Sequence, residues 1–177
     1  GGTITISDSA TVTVTQATNF LDLLKVGNGS GIAAASVNFN GKVESVTDTL
    51  SNINTLTGSA GWTGNSSVHD DFNLVVADSV STLVNGSNTS ALSAMNATTF
   101  SSNQSTTAAN AHSLFTLKDT IHFDRGSYTL TISDTPTNLL NASYEDGKDF
   151  ADTWQLTANA TVSAVDAEAL LAETKFH

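Results

Sequence analysis

Short segments in which apolar and polar residues alternate recur along this chain, and several of them lead directly into a brief apolar stripe of helical spacing. The clearest example is Thr129–Asn141. In its first half Leu130 and Ile132 face one way, and the Thr and Ser residues between them face the other. This alternation of β-favouring residues predicts a strand with one buried face.

The second half of the same segment predicts a helix. Thr135 followed by Pro136 suits an N-cap and a first helical residue, because the proline N–H that is missing there has no helical partner in any case. Leu139 and Leu140 supply the apolar contact of the short helix. The predicted unit is therefore a strand, an acidic corner at Asp134 and a short helix.

Copies of this unit are recognisable elsewhere in the chain. Val46–Ile53 and Val76–Leu83 match the organising segment in residue class, and we call this pattern the D-[ST] unit because Ser or Thr follows the Asp. A second type of unit, also a short strand leading into an amphipathic helix, occurs at Thr11–Leu21 and Thr161–Leu171. The spacings between units are irregular, which indicates a degenerate repeat.

These patterns predict a mixed α/β fold in which short strand-helix units stack, with some antiparallel hairpins. The hairpin is predicted at Asn40-Gly41, between strands at Ala33–Phe39 and Lys42–Thr47. We expect a single domain over residues 1–177, with a surface insertion at about 85–110, where Ser, Thr, Asn and Ala dominate. The alternative is an all-β sandwich, in which Thr3–Val14 could be donated to a neighbouring subunit.

The apolar positions of the predicted strands and helices define an expected core. It comprises Val12, Val14, Phe20, Leu24, Val46, Ile53, Leu74, Val76, Leu83, Leu130, Ile132, Leu139, Val162 and Leu170.

Composition narrows the class of protein. Six Lys and Arg against 17 Asp and Glu give a formal net charge of -11, which repels nucleic acid and anionic membrane surfaces. No apolar run approaches the length of a membrane span, so we expect no direct membrane insertion. An acidic, Lys-poor chain without Cys and rich in Ser, Thr and Asn is typical of large bacterial surface and matrix proteins. Since the sequence begins at Gly1 rather than Met, we expect a processed form or a fragment.

Two kinds of ligand site have candidate residues. Four carboxylates surround a glycine at Glu145, Asp146, Asp149 and Asp152, and such hard oxygen ligands are those that Ca²⁺ prefers, although the EF-hand spacing is absent. A solvated acidic loop is the alternative interpretation. Trp62 and Trp154 are candidate platforms for a glycan, and Trp62 can equally be a lid on the core.

Asparagine sequons could carry glycans if the cell modifies exported proteins, and polar loop surface is the alternative interpretation. They lie at Asn28, Asn65, Asn85, Asn88, Asn96, Asn103, Asn141 and Asn159.

Catalytic signatures are not apparent in the sequence. There is no Gly-rich phosphate loop, no G-x-S-x-G elbow, no H-E-x-x-H pair and no Cys nucleophile, so we expect a protein that is not an enzyme. A role in haem capture would require an exposed His or Tyr, for which His69, His112, Tyr128 and Tyr144 are the candidates.

The two unit types resemble segments of known proteins. Val46–Thr57 resembles the V-x-D-T-A-A-N-I-x-A-L-T segments of very large bacterial surface adhesins and S-layer-like proteins exported by type I secretion. Thr11–Ala17 and Thr161–Leu170 resemble the V-T-x-T-V-A-Q-A-x-A-L segments that alternate with them. The resemblance implies an extracellular structural or adhesive protein that associates with itself, as a filament or surface layer, or with other surface proteins. A module that binds a glycan or haem is the alternative.

Overall fold

The computed structural model describes residues 4–24, 37–64 and 66–177. The chain forms two compact units. Unit 1 comprises Gly1–Ala77 together with Met95–Ala97, and unit 2 comprises Asp78–Ala94 together with Thr98–His177.

Unit 1 consists of short strands and helices that alternate along the chain. In order, they are β1 (Ile4–Thr5), β2 (Thr11–Val12), α1 (Val14–Leu24), β3 (Val37–Asn38), β4 (Glu44–Asp48), α2 (Leu50–Thr57), α3 (Ala60–Thr63), a 3-10 helix (Ser66–Asp71) and β5 (Phe72–Asp78), whose last residue belongs to unit 2.

The strands of unit 1 pair in parallel. β1 pairs with β3, and β4 lies between β2 and β5, with Val46 opposite both Val12 and Leu74. Parallel neighbours require a crossover connection, and here the helices provide it. Val46, Leu74 and the core residues of α2 are buried, so the apolar face of the strands is covered.

Unit 2 has the same alternation. Its elements are α4 (Val80–Leu83), a 3-10 helix (Gly86–Asn88), α5 (Thr89–Ser93), β6 (Ala97–Phe100, whose first residue belongs to unit 1), β7 (Gln104–Thr106), α6 (Ala108–Leu117), β8 (Leu130–Asp134), α7 (Pro136–Leu139), a 3-10 helix (Ala142–Tyr144), α8 (Glu145–Phe150), β9 (Thr153–Leu156) and α9 (Ala164–Ala172).

A parallel sheet of order β7-β8-β9 forms the centre of unit 2. Ile132 lies opposite Thr106 on one side and Trp154 on the other, and both Ile132 and Trp154 are buried. Helix α6 packs closely against α8 at Gly147, where an added Cβ would collide with the backbone of His112.

Ser and Thr side chains begin most of the helices, which explains how so polar a sequence specifies them. A side-chain oxygen accepts a hydrogen bond from the backbone amide three residues later and satisfies one of the unpaired donors of the first turn. The residues that cap helices in this way are Thr49, Ser59, Ser79, Thr107, Thr135 and Ser163.

Two of the three D-[ST] units, those at Asp78 and Asp134, extend further than their sequences indicate. Asp78–Phe100 and Asp134–Leu156 each contain an Asp corner, a four-residue helix, an Asn-capped 3-10 helix, a second short helix and a strand, in register throughout. The side chains of Asn85 and Asn141 cap the two 3-10 helices by accepting from the amides of Ser87 and Ser143, respectively.

Equivalent hydrogen bonds recur in the two copies. In the first, the Asn96 amide donates to the Leu74 carbonyl, while the Leu74 amide donates to the Asn96 side chain. In the second, Asp152 and Leu130 exchange the same two bonds, at 2.9 and 2.7 Å. The repeat is therefore a property of the backbone, preserved although many side chains differ.

The prediction of a mixed α/β fold is confirmed, and the all-β sandwich is wrong. Pro136–Leu139 and Ala164–Ala172 are helices rather than extended segments, and the ladders of the described residues are parallel. The hairpin predicted between Ala33–Phe39 and Lys42–Thr47 is wrong for its described residues, 37–47, since 33–36 lie outside the described ranges. Asn40 and Gly41 form a turn with positive φ, but β3 pairs with β1 rather than with β4.

The expected core is mostly buried. Val12, Val14, Phe20 and Val162 are half-buried instead. The buried members are Leu24, Val46, Ile53, Leu74, Val76, Leu83, Leu130, Ile132, Leu139 and Leu170.

The stretch at 85–110, expected to be an irregular surface excursion, contains regular structure. It includes α5, β6, β7 and the start of α6, and it buries Leu92, Met95 and Phe100. Its polar residues misled the prediction because Ser, Thr and Asn here cap helices and pair in strands. The expectation of a single domain stays a prediction.

Candidate functional site

The Asp corners serve the fold. Asp48 Oδ1 accepts from the Thr49 amide at 2.7 Å and from the Asn52 side chain at 2.7 Å. Asp134, which is 5% exposed, makes the equivalent bonds with Thr135 and the Asn138 side chain. These contacts support the interpretation of the corner aspartates as residues that stabilise the helix starts.

Three of the four carboxylates nominated for calcium lie on a helix rather than on a loop. Glu145, Asp146 and Asp149 lie on α8, and Glu145 pairs with the Lys148 ammonium at 2.8 Å. Asp152 follows the helix and pairs with Arg125 at 2.8 Å, while it also accepts from a strand amide. Among the described residues no group of three or more His, Asp or Glu is placed to hold a metal ion. Two of the four carboxylates therefore have partners within the protein.

Lys148 occupies an unusual position for a charged residue. It is 3% exposed, its ammonium donates to the Leu139 carbonyl at 2.9 Å, and it lies 5.0 Å from the centre of the Trp154 ring. In the first copy of the repeat the equivalent residue is the buried Leu92. A long aliphatic side chain thus fills the same space in both copies.

Both tryptophans nominated as ligand platforms belong to the core. Trp62 is 9% exposed, stacks on His69 with the ring centres 4.2 Å apart and meets Phe72 edge-on. Trp154 is 1% exposed, and its indole N–H donates to the Lys148 carbonyl. The lid interpretation of Trp62 therefore matches its surroundings.

The residues nominated for haem are dispersed between the units. His69 lies in unit 1, where its Nε2 is 3.0 Å from the Trp62 carbonyl. In unit 2, His112 and Tyr144 lie with ring centres 6.1 Å apart, and the buried His112 Nδ1 has no partner among the described residues. Tyr128 is 37% exposed. Only His112 and Tyr144 of the four are brought together.

Most of the described sequon asparagines are committed to the fold. The side chains of Asn85, Asn88, Asn96, Asn103 and Asn141 each hydrogen-bond a backbone group. Asn159 is exposed, and its side chain makes no hydrogen bond with the described part of the protein. Asn28 and Asn65 lie outside the described residues.

A different candidate emerges when the two end units are compared. α1 and α9 follow equivalent strand segments, so that Leu21 corresponds to Leu171. In unit 1, Leu21 is 0% exposed because α2 and α3 pack against α1. The approach is so close that a Cβ on Gly61 would lie 3.0 Å from the Leu21 backbone.

The described residues do not cover the equivalent position of α9. Leu171 is 77% exposed, and Leu170 is the buried residue of this helix. The strand segment before it, Thr161–Val162, is equivalent to β2 but is unpaired in the described chain, whereas β2 pairs with β4. Val165, on another side of α9, is also exposed, at 74%, and so is its equivalent Thr15.

We call the side of α9 formed by Ala164, Ala167 and Leu171, together with the Thr161–Val162 edge, the bare face. Sequence reasoning aligned the two end units but did not single out Leu171. The alignment of the end units contained the information, because it sets Leu171 opposite Leu21, which belongs to an amphipathic helix expected to pack on the core.

Comparison with known proteins gives no assignment. No family model, no curated protein and no solved structure matches the chain. Within the described ranges there is no helix with the length and apolar character needed to cross a membrane.

Proposed function

We propose that the protein is an extracellular structural or adhesive subunit that associates with itself, and that the bare face of α9 is the contact surface. The observation that carries this proposal is the pair Leu21 and Leu171. Equivalent leucines are fully covered in one unit and 77% exposed in the other. An exposed leucine beside an unpaired strand edge is a surface that favours association.

The proposed partner is a second copy of the chain. β2 is an edge strand of its sheet in the described part of unit 1, and Thr161–Val162 is unpaired. If β2 of one molecule pairs with Thr161–Val162 of the next, α1 of the first molecule comes to lie over the bare face of the next. The bare face is then covered as α2 covers α1 within a molecule.

This contact joins two different surfaces, so it does not close on itself. Head-to-tail contacts of this kind generate filaments or, with a second contact, layers. The architecture suits such growth because units that bury an apolar face only against a neighbour can add indefinitely. The abundance of Ser, Thr and Asn and the resemblance to adhesin segments support an extracellular site of assembly.

The experiment compares two charged variants of one helix. Leu171→Glu places a carboxylate on the bare face, and Val165→Glu places the same group on another side of α9 at similar exposure. Sedimentation velocity and negative-stain electron microscopy, at high protein concentration and with or without calcium, should show polymers for the wild type and Val165→Glu. Leu171→Glu should remain monomeric.

Two results would contradict the proposal. One is a wild-type protein that stays monomeric under all of these conditions. The other is polymerisation that both variants lose or retain to the same extent, since the bare face would then not be the contact.

A further inference from the structure

A groove in unit 2, separate from the bare face, is lined almost wholly by uncharged polar side chains. Its volume is about 390 Å³, within the range of roughly 300–1,000 Å³ typical of ligand sites. The residues that matter for its chemistry are Ser79, Ser81, Gln104, Ser105, Asn110 and Ser133.

Part of this lining is held in place by hydrogen bonds. The Ser79 and Ser81 hydroxyls lie 2.9 Å apart. The Gln104 side chain accepts from the Val80 amide at 3.3 Å and donates to the Ser102 carbonyl at 3.0 Å. These bonds fix one wall of the groove before any ligand arrives, which lowers the entropic cost of binding.

Other polar groups of the lining have unused hydrogen-bonding capacity. The side chains of Ser105, Asn110 and Ser133 form no hydrogen bond with the described residues. Ser133 and Asn110 are half-buried, and Ser105 is exposed. Hydroxyl and amide groups both donate and accept, so they complement a ligand that carries many hydroxyls.

Charge narrows the class of ligand. Among the described residues that line the groove there is no carboxylate, ammonium or guanidinium group, so they offer no counter-charge to a metal ion or an anion. The neighbouring Asp134 directs both carboxylate oxygens to donors within the fold. The net charge of -11 further disfavours polyanions.

We propose that this groove binds a neutral carbohydrate through Ser105, Asn110 and Ser133, against the wall formed by Ser79, Ser81 and Gln104. The site lacks an aromatic platform among its lining residues, so recognition is by hydrogen bonds alone and the affinity is modest, with a Kd of about 1 mM. The inference is independent of the bare face and does not require self-association.

The test is a titration of ¹⁵N-labelled protein with four neutral trisaccharides: maltotriose, cellotriose, laminaritriose and triacetylchitotriose. Trigalacturonic acid serves as the anionic comparison. At least one neutral sugar should shift the amide resonances of Ser79, Ser105 and Asn110. The double variant Ser105→Ala/Ser133→Ala should bind it about tenfold more weakly, because two hydrogen bonds are lost.

Ser127→Ala is the matched control, since Ser127 is an exposed serine of unit 2 outside the groove. It should bind like the wild type, and the spectra of all variants report whether each is folded. The inference is wrong if none of the neutral sugars shifts these resonances, if the shifts map outside the groove, or if Ser127→Ala weakens binding as much as the double variant. Equal binding of trigalacturonic acid would also overturn it.

Discussion

Asp134 offers the sharpest test of how the Asp corners stabilise the fold, because Asp48 provides a matched control. Asp134 is buried and accepts three hydrogen bonds, from the Thr135 amide at 2.8 Å, the Asn138 side chain at 2.8 Å and the Ala108 amide at 2.9 Å. Within the described residues, Asp48 accepts the first two kinds of bond but no equivalent of the third.

The expected magnitudes follow from these bonds. In Asp134→Ala, the amide of Thr135 can turn to water, but the buried Ala108 amide at the start of α6 loses its partner. A hydrogen bond to a charged group contributes about 1.5–3 kcal/mol, and an unsatisfied buried donor costs a similar amount. We expect Asp134→Ala to lower the free energy of unfolding by roughly 3–4 kcal/mol, and Asp48→Ala by about 1–2 kcal/mol.

Urea unfolding measures the difference. The fluorescence of Trp154 reports on unit 2, which contains Asp134, and that of Trp62 reports on unit 1, which contains Asp48. Each variant is therefore studied in a protein that retains only the tryptophan of the unit concerned. A loss of about 3 kcal/mol moves the urea midpoint by about 1–3 M. Equal losses for Asp134→Ala and Asp48→Ala would refute the reasoning, since the third bond would then contribute nothing.

Two further predictions concern burial and close packing. Burial, and to a smaller extent the charge of Asp70, raises the pKa of Asp71. The Asp71 carboxyl loses its proton at a lower pH in the unfolded chain than in the folded protein, so the stability of the fold falls as the pH rises through the folded pKa. Asp71→Asn should therefore raise the melting temperature at neutral pH, but not below the ordinary pKa of 3.8. Gly147→Ala would drive a Cβ into the backbone of His112 and should cost roughly 3 kcal/mol in thermal unfolding. Gly86→Ala, where nothing lies within 4 Å, should change stability by less than about 0.5 kcal/mol. An unchanged pH profile, or equal effects of the two glycine variants, would contradict these predictions.

Much of the local structure could be predicted from residue patterns. Alternation identified β4, β5 and β8, and Ser or Thr after Asp identified the helices that follow. These features depend on neighbouring residues, so a single sequence contains them. The resemblance to adhesin segments remains an expectation.

The missed structure depends on contacts between distant residues. The second half of the repeat escaped notice because its equivalent positions have different chemistry, with Leu92 against Lys148 and Thr98 against Trp154. The backbone pairing is preserved there, but the residue class is not, and at Thr98 and Trp154 the side-chain volume also differs. The Asn40-Gly41 turn was recognised, but a turn alone does not determine which strands pair.

The predicted acidic loop was misread for a similar reason. Glu145 and Asp146 lie in the first turn of α8, where negative side chains interact favourably with the helix dipole. The same carboxylates that suggested a calcium site therefore also suit the start of a helix. The pairing of Glu145 with a buried lysine could not be read from spacing, because burial of Lys148 depends on Trp154 and α7.

The most direct test of the proposed assembly is hydrogen exchange of α9 as a function of protein concentration. If second copies cover the bare face, the amides of Thr161, Val162 and the α9 residues around Leu171 should exchange more slowly as the concentration rises, and Leu171→Glu should abolish this dependence. Exchange that is the same at every concentration, while the protein polymerises, would show that the molecules meet through another surface.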